Sequence, residues 1–239
     1  MATGPERGYL NAARADVGQI DAGLRQYMLS VYNYMAGGLA LTGIVAFLIS
    51  TSPSLQMTIW GSPLRYVAMF APVAVVLFFS FRIQKMSFAA AQGTYWLYAA
   101  LMGLSLSFIF LAYTHTSIAR VFFITAGTFA ATSLYGYTTR RDLTGMGCFL
   151  FMGLIGIILA SIVNIFLAST ALEFAISVIG VLVFVGLTAY DTQKIKEWYA
   201  AADDGATMGK KAIYGALTLY LDFINLFLML LRLFGTSRN

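Results

Sequence analysis

Seven long apolar segments constrain this chain more than any other feature of its sequence. Each segment holds 17 to 23 residues, and polar or charged breaks separate it from the next. A helix needs about 20 apolar residues to cross a bilayer, whereas the strands of a membrane barrel alternate over about ten residues. The segments therefore predict an all-α, polytopic membrane protein with seven transmembrane helices. These helices are expected at residues 28–50, 64–81, 92–113, 119–137, 147–167, 174–190 and 212–234.

The composition supports this fold class and excludes several kinds of site. Charged residues make up 10% of the chain and apolar residues 59%, whereas a soluble domain carries about 25% charged residues. One cysteine, Cys148, and one histidine, His115, exclude an internal disulfide, a cysteine cluster and a multi-histidine metal site. The net charge of +5 comes from residues scattered between the spans, so we expect it to set topology rather than to bind nucleic acid.

The polar residues divide the chain into three parts. A polar segment covers 1–27, the seven-helix domain covers 28–234, and a short tail covers 235–239. The first part lacks the short apolar core of a signal peptide. Segments on the N-terminal side of the membrane hold eleven Lys and Arg residues, against four on the other side. This bias predicts a cytosolic N-terminus and a C-terminus on the opposite side.

Asp222 is the most unusual residue in the predicted spans. It lies about 16 Å along the helix from Lys211, near the middle of the bilayer, where an ionisable residue costs at least about 2.5–3.5 kcal/mol. Thr218, Asp222 and Asn225 share one helix face, and Arg232 continues this stripe. Such a stripe is expected to point toward other helices or a water-filled cavity.

Asp191 and Arg82 place two further charges in the same half of the bundle. Asp191 ends the sixth apolar run and Arg82 closes the second. A depth count leaves Asp191 and Asp222 about 8–10 Å apart along the membrane normal, so helix tilt would have to bring them together. Two carboxylates in a poorly hydrated site titrate as a unit, and a nearby Arg82 would hold one of them charged. This set predicts a pH-operated latch, unless the aspartates only fix helix packing.

Three distinctive stretches lie near the C-terminus: Ala189–Ile195, Leu219–Phe227 and Leu230–Arg232. They resemble the signature of the Bax inhibitor-1 family, also called transmembrane Bax inhibitor motif proteins. The resemblance is specific over 174–234 and extends to span number and loop lengths over 28–234. It implies a central seventh helix wrapped by the other six. The short tail and compact loops are similar to a bacterial member of the inner (plasma) membrane.

The resemblance also implies a function. Bacterial members are associated with a pH-sensitive calcium leak, and Asp191 and Asp222 match their aspartate pair, while Arg82 matches an arginine of the second helix. The family likeness thus implies a calcium channel that these residues gate, with calcium as the permeant ion and no cofactor. Calcium prefers six to eight oxygen ligands. Asp191, Asp222, Asn225 and Thr218 with water supply part of that set, which predicts the weak binding that suits permeation.

Two other functions compete with an ion leak. An intramembrane aspartyl protease would match Tyr190-Asp191, but it would need Gly-x-Gly-Asp where this chain has Tyr220-Leu221-Asp222; we therefore expect no enzyme activity. A regulator that binds a membrane partner would use the aspartates only for structure. Some bacterial relatives in the family bind a membrane-anchored protease, so the resemblance keeps a protease complex as a possible partner.

Overall fold

The computed structural model describes residues 5–238, with side chains described from residue 21 onward. Within that range the chain is helical apart from short connections and one isolated β-bridge. The α-helices are α1 (Pro5–Ser50), α2 (Pro53–Trp60), α3 (Leu64–Arg82), α4 (Phe88–Leu106), α5 (Ile109–Ala112), α6 (His115–Thr138), α7 (Thr144–Leu167), α8 (Thr170–Glu197) and α9 (Gly205–Phe234). A 3-10 turn, Ile83–Lys85, follows α3.

Seven of the described helical segments are long and apolar enough to cross a membrane. They contain α1, α3, α4 with α5, α6, α7, α8 and α9, which confirms the predicted all-α polytopic fold. The sixth span is longer than its apolar run because α8 continues through Glu197. Asp191 therefore lies within a continuous helix.

Helix α9 forms the centre of the bundle. In its most apolar stretch 61% of the residues are buried inside the protein, against 11 to 33% for the other six spans. It packs against α1, α4, α6 and α8, and Leu219, Tyr220 and Leu226 are completely enclosed. The expected central seventh helix is confirmed, and any polar group on its inner faces must find partners inside the protein.

The two ends of the chain extend the bundle in different ways. Helix α1 runs without a break from Pro5 into the first span, so the predicted polar segment is helical where it is described, while residues 1–4 lie outside the described range. At the other end the tail folds back on the start of α6. Thr236 accepts a hydrogen bond from the Thr114 N–H (3.1 Å), and the Arg238 N–H donates to the Ala112 carbonyl (2.9 Å).

A close contact between α6 and α8 supports the part of α8 that carries Asp191. At Gly136 a methyl group would collide with the backbone carbonyl of Ala189. Nearby, the hydroxyls of Ser133 and Thr192 are 2.9 Å apart. The Ser133 hydroxyl also lies 2.7 Å from the Tyr32 hydroxyl, which links α1 to the same contact.

We expect Gly136→Ala to lower the free energy of unfolding by roughly 1–3 kcal/mol, because the added methyl must push α6 away from α8. Gly127→Ala is the matched control on the same helix, since nothing lies within 4 Å of a methyl at that position. There the higher helix propensity of alanine should leave stability unchanged or raise it by up to about 1 kcal/mol. The apparent Tm of both variants in detergent checks this; equal values would contradict the close contact.

Candidate functional site

Helices α8 and α9 bring Asp191 and Asp222 together. Their side chains lie within hydrogen-bonding reach of each other. The separation along the membrane normal that the sequence predicts therefore does not keep the two carboxyl groups apart. Asp222 is 5% exposed and Asp191 is partly buried. The two carboxyl groups therefore form one site rather than two independent ones.

The antiparallel register of α8 and α9 explains why the two aspartates meet. Ile195 packs where a side chain on Gly215 would stand, and Met229 packs in the same way against Gly180. These two contacts put Asp191 opposite the residues just before Asp222, within about one helical turn of it. The missing side chains at the two glycines let the helices approach closely enough for the carboxyl groups to touch.

The contact between the two carboxyl groups requires a proton. Ionised carboxylates are only acceptors, so a hydrogen bond between them forms when one of them carries the hydrogen. Asp222 Oδ2 is buried and has no N–H or O–H donor in the described part of the chain. A hydrogen bond within the pair therefore needs at least one proton, and a gain or loss of a proton changes the charge of the whole site.

A cavity of about 810 Å³ lies beside the pair, between α7, α8 and α9. Its walls are mainly apolar, and its polar lining includes Asp191, Thr218, Asp222 and Asn225. The Thr218 hydroxyl donates to the carbonyl of Tyr214 (3.1 Å). The Asn225 amide donates to its own helix backbone, at Leu221 (2.8 Å), which leaves the Asn225 Oδ1 oxygen available to a ligand. The polar stripe predicted on α9 thus faces a space large enough for water and ions.

A second cavity of about 450 Å³ adjoins the first toward the C-terminal end of α9. The two cavities share Ser161 and Ile165 of α7. Glu173 and Arg232 line the second one. The stripe from Thr218 to Arg232 therefore borders the two adjoining cavities.

Arg82 lies apart from the aspartates in this structure. It is exposed at the end of α3, and the salt bridges among the described residues are Lys194–Glu197 and Lys211–Asp203. The expected contact of Arg82 with the pair is not made, because α3 packs against α4 while the pair borders a cavity between α7, α8 and α9. A long charged side chain at a helix end is well placed to reach water instead.

The pair by itself offers few ligands for a metal ion. Within the described residues, no group of three or more His, Cys, Asp or Glu side chains converges. A cation beside Asp191 and Asp222 would have to complete its shell with Asn225, Thr218 and water. This set agrees with weak, exchangeable binding rather than with a structural metal site.

Gln193 is a structural partner of the site that sequence reasoning missed. Its Oε1 oxygen accepts from the Leu143 N–H (2.9 Å), and its Nε2 group donates to the Arg141 carbonyl (2.8 Å). Two residues after Asp191, it fastens the loop between α6 and α7 to α8. A glutamine two residues after the motif aspartate was the available signal, but its partners lie about fifty residues away in the chain.

Seven spans, of which the last is central, and an aspartate pair between α8 and α9 define a class of polytopic membrane protein. Sequence comparisons identify its family. The family profile described as inhibitor of apoptosis-promoting Bax1 matches residues 24–239. The chain therefore belongs to the Bax inhibitor-1 family, in agreement with the resemblance found in the sequence.

Bacterial relatives match nearly the whole chain. The inner membrane protein YbhL of Escherichia coli is 52% identical over 220 residues, which cover 91% of this chain and 94% of YbhL. An uncharacterised protein of Rickettsia prowazekii is 51% identical over 92% of this chain and 93% of its own length. One from Caulobacter vibrioides is 46% identical over 98% of both chains.

We expect Gln193→Ala to loosen the loop at 139–143, because the Leu143 N–H and the Arg141 carbonyl lose their partner at a cost of about 1–3 kcal/mol. Trypsin should then cleave after Arg140 or Arg141 faster than in the parent protein, measured by fragment mass over time in detergent. Gln84→Ala is the control, since the exposed Gln84 side chain forms no hydrogen bond within the described residues. Equal cleavage rates in all three proteins would contradict this role of Gln193.

Proposed function

We propose that this protein is a pH-sensitive cation leak channel of the bacterial inner membrane, with calcium as the permeant ion and Asp191 and Asp222 as its gate. The observation that carries the proposal is the contact between two carboxyl groups at the centre of the bundle, beside a cavity that their helices line. The name of the Escherichia coli relative supports the inner membrane. The excess of Lys and Arg on one side supports a cytosolic N-terminus.

The surroundings of the pair favour permeation of a cation. The cavity walls are mainly apolar, so the carboxyl groups dominate the local electrostatic potential. Oxygens of Asn225 and Thr218 extend the polar surface along α9, and the adjoining cavity continues toward Arg232. A few weak oxygen ligands, one after another along the path, let an ion enter and leave, as conduction requires.

The shared proton supplies the proposed gate. With the proton in place, the carboxyl groups bridge α8 and α9 and carry at most one negative charge between them. Without the proton, the two carboxylates repel each other at short range and the bridge is lost. Proton occupancy is thereby coupled to the packing of α8 against α9. A part for Arg82 would require a second conformation in which α3 approaches the pair.

The experiment is calcium flux into liposomes that contain the purified protein, between about pH 6 and pH 8. We expect flux above that of empty liposomes, with a rate that changes with pH. In Asp191→Asn and Asp222→Asn the pH dependence should flatten, because an amide cannot exchange the proton that sets the charge of the pair.

Asp142→Asn is the matched control, since it makes the same chemical change in a loop outside the cavity. Hydrogen bonds from Thr144 hold the pKa of Asp142 below its ordinary value, so this residue stays ionised over the whole range and should not shape the pH profile. Absence of flux at every pH would contradict the leak. That result would favour the regulator that binds a membrane partner, such as a membrane-anchored protease, for which Asp222→Asn should leave partner binding intact.

A further inference from the structure

A third cavity lies at the end of the bundle where α3 and α8 end and α9 begins. It has a volume of about 440 Å³ and shares no lining residue with the cavity beside the aspartates. Its lining combines two lysines, two aromatic rings and several polar side chains: Lys210, Lys211, Trp198, Tyr214, Ser80 and Gln84. We propose that this cavity binds a phosphate-bearing anion, with an anionic phospholipid headgroup as the main source of that chemistry.

The two lysines leave one positive charge free for a ligand. Lys211 forms a salt bridge with Asp203 (2.6 Å) and also donates to the Trp198 carbonyl (2.9 Å). Lys210 is half-buried and forms neither a salt bridge nor a hydrogen bond with any described residue. The remaining acidic neighbour, Asp204, is exposed and caps α9 by accepting from the Thr207 N–H (2.8 Å). Lys210 is therefore the group best placed to hold an incoming anion.

The rest of the lining matches the chemistry of a headgroup. The rings of Trp198 and Tyr214 stack with their centroids 5.5 Å apart, and such aromatic residues favour the boundary between hydrocarbon and headgroups. The side chains of Ser80 and Gln84 form no hydrogen bonds within the described part of the chain, so their donors are available to phosphate oxygens. Buried Ile83 adds an apolar wall suited to the glycerol and upper acyl carbons of a lipid.

The position of the cavity favours a lipid over a soluble ligand. Arg82 and Lys85 flank the residues of α3 and its 3-10 turn that line the cavity. Together with Lys210 and Lys211, they belong to the Lys- and Arg-rich side of the membrane. Each basic residue near an anionic bilayer surface contributes attraction of about 1 kcal/mol. Basic pockets between spans at this level bind acidic headgroups in other membrane proteins.

Native mass spectrometry of the full chain, released from detergent micelles, tests the proposal. Phosphatidylglycerol, phosphatidylcholine and inorganic phosphate are added separately, and the mass added to the protein gives the number of bound molecules. We expect phosphatidylglycerol to bind more tightly than phosphatidylcholine. Lys210→Ala should weaken phosphatidylglycerol binding roughly fivefold, as the loss of one basic contact implies.

Lys194→Ala is the control variant, because Lys194 lies at the same end of α8, pairs with Glu197 at the surface and does not line the cavity. It should bind phosphatidylglycerol within about twofold of the parent protein. If inorganic phosphate binds with the same dependence on Lys210 and displaces the lipid, the cavity is an anion site whose ligand is a soluble phosphate compound rather than a lipid. Equal binding of both lipids, or equal loss in Lys194→Ala and Lys210→Ala, would overturn the proposal. An unchanged apparent Tm of each variant verifies that folding is intact.

Discussion

A carboxyl group in the middle of a membrane-spanning helix is unfavourable by at least about 2.5–3.5 kcal/mol. The residues around Asp222 at the centre of this bundle must offset that free energy. Asp222 lies on the most enclosed helix, α9, and is 5% exposed. Its nearest charged neighbour is Asp191, another acid, rather than a basic residue. Two acids in contact form a hydrogen bond only when one of them carries a hydrogen, which is the basis of the proposed gate.

The helices around this contact differ in how much of their surface is buried inside the protein. Helix α8 is fixed on one side by the close approach of Gly136 to Ala189 and by the fastening of the 139–143 loop to Gln193. Helix α7 forms the other wall of the main cavity and has only 11% of its apolar stretch buried. The site thus lies between a more deeply buried helix and one that exposes most of its surface outside the bundle.

The periodicity of the sequence was sufficient to predict one half of the candidate site. Thr218, Asp222 and Asn225 share a face because a helix repeats every 3.6 residues, and the structure places all three on one cavity. Asp191 was found as a second charge, but its contact with Asp222 depends on tilt and register, which a depth count does not contain. Arg82, which the family resemblance led us to expect beside the pair, is exposed in this structure and forms no salt bridge with it among the described residues.

The sequence by itself determined the fold class, the seven spans and the family, because length, hydropathy and local motifs are properties of consecutive residues. It also determined that Asp222 must face inward, since lipid cannot solvate a carboxylate. Only the tertiary structure decided which groups meet it. The contacts of Asp191 with Asp222, of Gln193 with the 139–143 loop, and of Lys211 with the Trp198 carbonyl join residues that lie far apart on the linear pattern or on different elements. Their geometry depends on how closely small residues let the helices approach, and a linear pattern does not encode that distance.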